Sequence, residues 1–265
     1  MKQGVAWAIG ILLASPIPTG AVEAPPVLHY SASWAGLPAA QIDLALGLSG
    51  AHYHDEIAIK SEGLPRWFTN FHGDATGEGE LAADGTAVPS RYDALYTLRR
   101  NRNKRVALRV TAQDSGDRLT IRAPEDTSKK PPLAETYRRN VLDPLSALAA
   151  IRHYLETHPH KPGDQFTLPV FDGARRFDVL GRITAGQADA EAVPFLELTL
   201  SLHPIAGFKG ETSEDGDPDD APRDVELRVT DDARLLPLYL RVHIAYMPLV
   251  VRFEKLCPAL GACPD

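Results

Sequence analysis

His52, His54 and Glu56 recur at every second position of one stretch, the arrangement in this chain best suited by residue type to hold a metal. In a strand that spacing puts all three side chains on one face, where two imidazoles and a carboxylate could grip zinc or copper. No fourth ligand can be placed beside them, and a solvated strand face carries such residues equally well, so we expect no metal there. Asp215, Asp217, Asp219 and Glu226 have the one, three, five and twelve spacing of a calcium loop. Position six is Asp220 where glycine is required, Pro222 fills the eighth place, and neither flank reads as helix. An EF-hand is therefore excluded, and an acidic hairpin loop or a looser calcium site is left.

His153, His158 and His160 gather around the end of the one convincing helix, where a cationic group suits the negative end of the dipole without any catalytic role. Asp143, Asp164, Asp172 and Asp178 would tempt a paired-acid reading. However, Asp143 is placed to cap a helix, and Asp164 and Asp172 sit in turns where a carboxylate bonds its own backbone. Arg99, Arg100, Arg102, Lys104 and Arg105 crowd one predicted hairpin tip. Their local positive field could meet lipid headgroups or anionic glycans, or simply keep the turn in water. Trp67 and Phe68 stand side by side in a stretch that breaks strand alternation, so they are expected to cover one end of the sheet as a lid or plug. No nucleophile elbow, H-E-x-x-H, phosphate-binding loop or dinucleotide fingerprint is present, and Gly77-Glu78-Gly79-Glu80 is too short and too acidic to cradle phosphate. We expect no enzyme and no cofactor.

Most of the chain that must position these residues alternates with period two. Ile42, Leu44, Leu46 and Leu48 share one face of an early strand. Tyr53, Asp55, Ile57 and Ile59 alternate with His52, His54, Glu56, Ala58 and Lys60 in the next. The stretch 73–81 carries so little side-chain mass that a twisted or bulged strand is expected. Later strands show the same pattern, most clearly Leu196, Leu198, Leu200 and Leu202, and Asp172-Gly173 is a hairpin signal.

One segment differs. Asp143 suits an N-cap, Pro144 sits where its missing N–H costs nothing, and Leu145, Leu148, Ile151 and Leu155 recur at helical spacing. Arg152 and Glu156 are spaced to pair along that helix, and Pro159 ends it.

The 265 residues suit one β domain. Lys2, an uncharged apolar run from Gly4 to Ala14, and small residues around Ala24 read as a signal peptide over residues 1–24. The apolar run is too short to span a bilayer comfortably, so a protein that is not membrane-spanning is expected. Removing that segment takes away Lys2 and Glu23 and leaves the net charge at −7, which argues against nucleic acid as a partner. Cys257 and Cys263, the only cysteines, lie in a Pro- and Gly-containing tail. Six-residue spacing without a neighbouring histidine is a poor zinc signature and is not C-x-x-C, so a small disulfide loop is expected in an oxidising compartment.

Asp143-Pro144-Leu145-Ser146-Ala147, Lys161-Pro162-Gly163-Asp164 and Leu168-Pro169-Val170-Phe171-Asp172-Gly173 occur in an order that resembles a bacterial exported family, domain of unknown function 3108. Tyr30 through Pro38 and Asp231-Asp232-Ala233-Arg234-Leu235-Leu236-Pro237 are similar to its flanking motifs. The resemblance implies an exported, mostly β protein of the cell envelope and carries over no catalytic residue.

The expected fold is all-β: a strongly curved antiparallel meander, an incomplete barrel or β-spiral, with one packed α-helix from about Asp143 to Thr157. The expected domains are the signal peptide, a single curved-sheet domain over 25–256, and a disulfide-bearing tail over 257–265. The expected function is a non-catalytic periplasmic protein of a Gram-negative envelope, binding a lipid-like or polymeric component or a protein partner in the concavity of the sheet. A structural or interaction protein with a filled core is the first alternative, and a hydrolase using converging Asp and His residues is the second.

Overall fold

The structure is a computed structural model and describes residues 25–63, 66, 70–101, 104–113, 133–184, 194–208, 223–244 and 247–263, with side chains described outside 98–113 and 244. Twelve strands form one sheet: β1 (Val27–Trp34), β2 (Leu37–Ser49), β3 (His52–Ser61), β4 (His72–Leu81), β5 (Ala87–Asn101), β6 (Lys104–Gln113), β7 (Gln165–Phe171), β8 (Arg176–Thr184), β9 (Phe195–Ala206), β10 (Arg223–Thr230), β11 (Pro237–Ile244) and β12 (Met247–Cys257). Between β6 and β7 lie a short 3-10 turn, Glu135–Arg138, and the helix α1, Pro144–Thr157.

The strand order is β6-β5-β4-β3-β2-β1-β12-β11-β10-β9-β8-β7, and the strand pairs are antiparallel. Two six-strand meanders therefore meet at the centre, where β1 pairs with β12. The chain walks out to one edge at β6, crosses by the segment that carries α1, and walks back from the opposite edge at β7.

This topology corrects one expectation. The sheet is an open row and is not the strongly curved incomplete barrel or β-spiral expected from the sequence, because no pairing joins β6 to β7. The reason is visible at β7. Leu142 bridges Val170 in parallel: the Leu142 N–H donates to the Pro169 carbonyl at 2.8 Å, and the Phe171 N–H donates to the Leu142 carbonyl at 2.9 Å. The chain entering the helix thus occupies that edge, and Pro169 has no N–H to offer a closing strand.

The helix begins as its residues dictate. The Asp143 carboxylate accepts from the N–H groups of Leu145 and Ser146, and Pro144 holds the first helical position. Its buried side is wider than the predicted stripe, since Ser146, Ala147, Ala149 and Ala150 join Leu145, Ile151 and Leu155 in the interior. At the far end the His158 N–H donates to the Tyr154 carbonyl, the two rings stack at 4.3 Å, and His160 reaches the Leu155 carbonyl at 2.5 Å. These histidines satisfy carbonyls that a helix end leaves unpaired. Burying Leu198, Ile183, Leu155 and their neighbours, at roughly 1.5–3 kcal/mol per large side chain, is the main force holding α1 on its face of the sheet.

Period two decides which side of each strand meets α1. Tyr53 and Asp55 of β3, and Tyr92 and Ala94 of β5, face the helix; His52, His54 and Glu56 face away. In β4 the helix-facing positions are Gly73, Ala75, Gly77 and Gly79, which leaves a furrow whose one side chain is the Ala75 methyl. A Cβ on Gly77 would lie 2.8 Å from the Leu145 Cβ, and one on Gly79 would collide with the Tyr53 ring. The low side-chain mass expected of this strand is thus the condition for the helix N-terminus and Tyr53 to approach it.

Candidate functional site

Two arrangements of polar groups emerge, one under the helix and one on the opposite, open face. Under the helix, the Asp143 carboxylate that caps α1 also accepts from the Ser146 hydroxyl, and Ser146 Oγ lies 2.6 Å from Tyr53 Oη. Burial pushes the Asp143 carboxyl up and the Tyr53 phenol up as well. Asp55 lies in the same region, fully buried, with both carboxylate oxygens lacking a hydrogen-bond partner. Its pKa is raised from 3.8 to about 7, chiefly by burial and against the pull of the Arg152 guanidinium and of the Gly47 backbone, whose approach falls short of a well-formed hydrogen bond. Arg152 is itself held down by burial, its Nε has no partner among the described residues, and its Nη2 donates to the Arg234 carbonyl at 3.5 Å.

Arg152 feels the Glu156 carboxylate one turn on, as its spacing suggested, but Asp55 acts on it more strongly, and Glu156 also lies 3.6 Å from His153. Asp55 and Arg152 are the residues that sequence reasoning passed over. The signal was present, because Asp55 alternates in phase with Tyr53, Ile57 and Ile59, which makes it an acid in an inward position. Asp143 and Asp55 are both closed to solvent, so this cluster locks the helix to the sheet and offers no substrate an approach. The remaining acids do not join it. Asp164 accepts from the Lys161 N–H, Asp172 accepts from Ala174 and Arg175 within its turn, and Asp178 pairs with Arg176 at 2.7 Å.

On the open face, His54 Nε2 lies 2.8 Å from Glu56 and its Nδ1 lies 3.4 Å from Glu78, while His52 pairs with Glu80 at 3.4 Å. The three residues share a face, but their ligand atoms do not converge. Each imidazole is engaged by a carboxylate of the neighbouring strand or its own. Beside them lies a groove of about 440 Å³ across β3, β4 and β5, with Leu260 of the tail at its margin. Glu56, Asp74 and Asp93 bring three carboxylates to it, and its Arg91 is bonded to Asp93 at 2.6 Å, so the groove is acidic with apolar patches at Leu95 and Leu260.

Other predicted positions fall elsewhere. Trp67, Phe68, Arg102, Asp215, Asp217 and Asp219 lie outside the described residues, as does the segment 1–24. Glu226 lies in β10 and pairs with Arg228 at 2.6 Å. Arg99 and Arg100 end β5 while Lys104 and Arg105 open β6, with Arg99 opposite Arg105 and Lys104 opposite Asn101.

Cys257 and Cys263 form a disulfide, as expected, with their Cα atoms 5.1 Å apart. Val27 and Ala45 pack beneath it together with Leu260. His29 lies there too, bonded through Nδ1 to Asp43 at 2.6 Å, and the other Asp43 oxygen accepts from the Gly261 N–H at 3.1 Å. Among the described residues, His29, Cys257 and Cys263 are the group of metal-competent side chains whose ligand atoms lie within 4.8 Å of one another.

Fold and sites together define a mostly β protein: one open antiparallel sheet with the helix α1 on one face, a disulfide-closed tail on the other, and no described helix long and apolar enough to cross a membrane. The chain belongs to the family described as protein of unknown function (DUF3108), whose model matches residues 29–253. No curated protein matches it. It is similar to a solved structure described as a beta-barrel-like protein of domain of unknown function DUF1849 from Brucella abortus, with a TM-score of 0.54 and 11% identity over 88% of this chain and 97% of that one. At that identity the likeness concerns the fold alone.

Proposed function

We propose that this is a non-catalytic protein of the Gram-negative periplasm that binds a polar, polymeric envelope component in the acidic groove on the open face of its sheet. The groove carries this reading: its volume of about 440 Å³ falls within the range of small-ligand sites, and it mixes carboxylates with apolar patches. Three carboxylates against one arginine already tied to Asp93 favour a ligand bearing hydroxyl and ammonium groups over a fatty acid, whose own carboxylate would be repelled. Tyr53, Leu145, Ile151 and their neighbours fill the face beneath α1, which speaks against a lipid held in that position. The signal-like N-terminus and the Cys257–Cys263 disulfide support export to an oxidising compartment.

Calorimetry against amino-sugar oligosaccharides and against fatty acids tests this. Binding of the former that weakens at least tenfold in Asp74→Lys, with the oligosaccharide recovered intact, is expected. Co-purified lipid, or cleavage of the saccharide, would overturn it. The filled helix face favours a second reading, a structural or interaction protein without a small ligand. That reading predicts no heat with either compound and a stable complex with another envelope protein.

A further inference from the structure

The sequence places no histidine near the two cysteines, but the fold does. β1 pairs with β12 and brings Val27 opposite Cys257, so His29 stands beside the disulfide loop. One ring nitrogen of His29 and both sulfurs lie within 4.8 Å of one another. In a tetrahedral zinc site, with bonds of about 2.0–2.3 Å, ligand atoms stand about 3.5–3.8 Å apart, so the histidine is already within reach, while the two sulfurs, now bonded to each other, must part once reduced. A second observation concerns the imidazole. Asp43 holds His29 through Nδ1, so in the neutral ring with its proton on that nitrogen the Nε2 lone pair is left to ligate, the carboxylate–histidine arrangement that orients metal ligands. The same carboxylate accepts from Gly261 within the loop, so the ring and the cysteine-bearing turn are tied to one anchor.

We propose that reduction of the Cys257–Cys263 disulfide converts this corner into a zinc site, with both thiolates and His29 Nε2 as ligands, a water in the fourth position, and Asp43 as the positioning residue. A dithiol donor supplies two electrons and two protons by thiol exchange and is itself oxidised to a disulfide; two thiols result. Zn²⁺ then displaces both thiol protons to solvent and forms a site whose net ligand charge balances the ion. Oxidation by a disulfide acceptor re-forms the S–S bond and releases the metal. The loop is small, and Cys257 is 3% exposed while Cys263 is half-buried, so one thiolate is shielded from solvent and the other stays open to an incoming ion. Disulfide and metal are alternative closures of the same tail, selected by redox state.

The test uses the mature full-length chain, reduced with a phosphine, freed of reductant under anaerobic conditions and titrated with Co²⁺ and then Zn²⁺. Expected are a 1:1 complex with thiolate-to-cobalt charge-transfer absorption, displacement of the cobalt by zinc, and no such band in the oxidised protein or in the Cys257→Ser/Cys263→Ser variant. His29→Gln should weaken zinc binding about ten- to a hundredfold while leaving re-formation of the disulfide intact. Asp43→Asn, which keeps the ring but loses its carboxylate, should weaken it about tenfold and provides the test if His29→Gln does not fold. Absence of the thiolate band from the reduced protein, or unchanged zinc affinity in both His29→Gln and Asp43→Asn, overturns the proposal.

Discussion

Replacing Asp55 with asparagine should shift stability in favour of the variant as pH rises, relative to the difference at low pH. Asp55 is fully buried, its two oxygens have no hydrogen-bond partner, and its pKa rises from 3.8 to about 7. A carboxyl whose folded pKa lies above its unfolded value is favoured protonated, so its contribution to stability is fully present below pH 3.8. That contribution is lost as pH rises towards 7, because the unfolded chain ionises freely while the folded one must either keep the proton or bury a charge. At 1.36 kcal/mol per pH unit, a rise of this size corresponds to at most about 4 kcal/mol between pH 4 and pH 8. Local opening that admits water would reduce it. Urea unfolding from pH 4 to pH 9, followed by tryptophan fluorescence, measures the difference between Asp55→Asn and the parent. The amide adds a constant offset for its own unmet hydrogen bonds, so the slope is the diagnostic quantity. The difference should climb in favour of the variant across pH 4 to 7 and then level off. A flat difference would mean that Asp55 is solvated or bonded and would refute the reasoning. Arg152→Met should deepen the high-pH penalty in the parent and do much less in the Asp55→Asn background, since the guanidinium acts on that carboxylate.

Two further substitutions probe the seat of the helix. Gly77→Ala puts a methyl group 2.8 Å from the Leu145 Cβ and should cost about 1–3 kcal/mol, read as a lower urea midpoint. Asp143→Ala removes the acceptor for the Leu145 and Ser146 N–H groups and for the Ser146 hydroxyl, and should cost about 2–3 kcal/mol in the same assay.

Local chemistry made part of this molecule readable in advance. Asp143 and Pro144 name a helix start wherever they occur before a helical apolar stripe, and Pro159 names its end, because capping and the missing proline N–H act within one turn of chain. Leu196, Leu198 and Leu200 announced a buried strand face by alternation alone. The disulfide followed from having two nearby cysteines in a chain whose N-terminus reads as a signal peptide. The same local rules named Glu156 as a partner of Arg152 but said nothing of Asp55 across the interface, which acts on the guanidinium more strongly.

By itself, then, the sequence determined the all-β class, the helix α1 with its cap, and the clasp near the C-terminal end, since each depends on residues within a few positions of one another. Tertiary structure alone decided that the sheet stays open, that Asp55 lies under α1 near Arg152, that β4 must be bare for Leu145 and Tyr53, and that His29 meets Cys257 and Cys263. The physical reason is that alternation specifies which side of a strand is buried but is indifferent to which strand lies beside it. Whether an edge is closed depends on hydrogen-bonding groups that Leu142, far from β6 in the sheet, already occupies at β7.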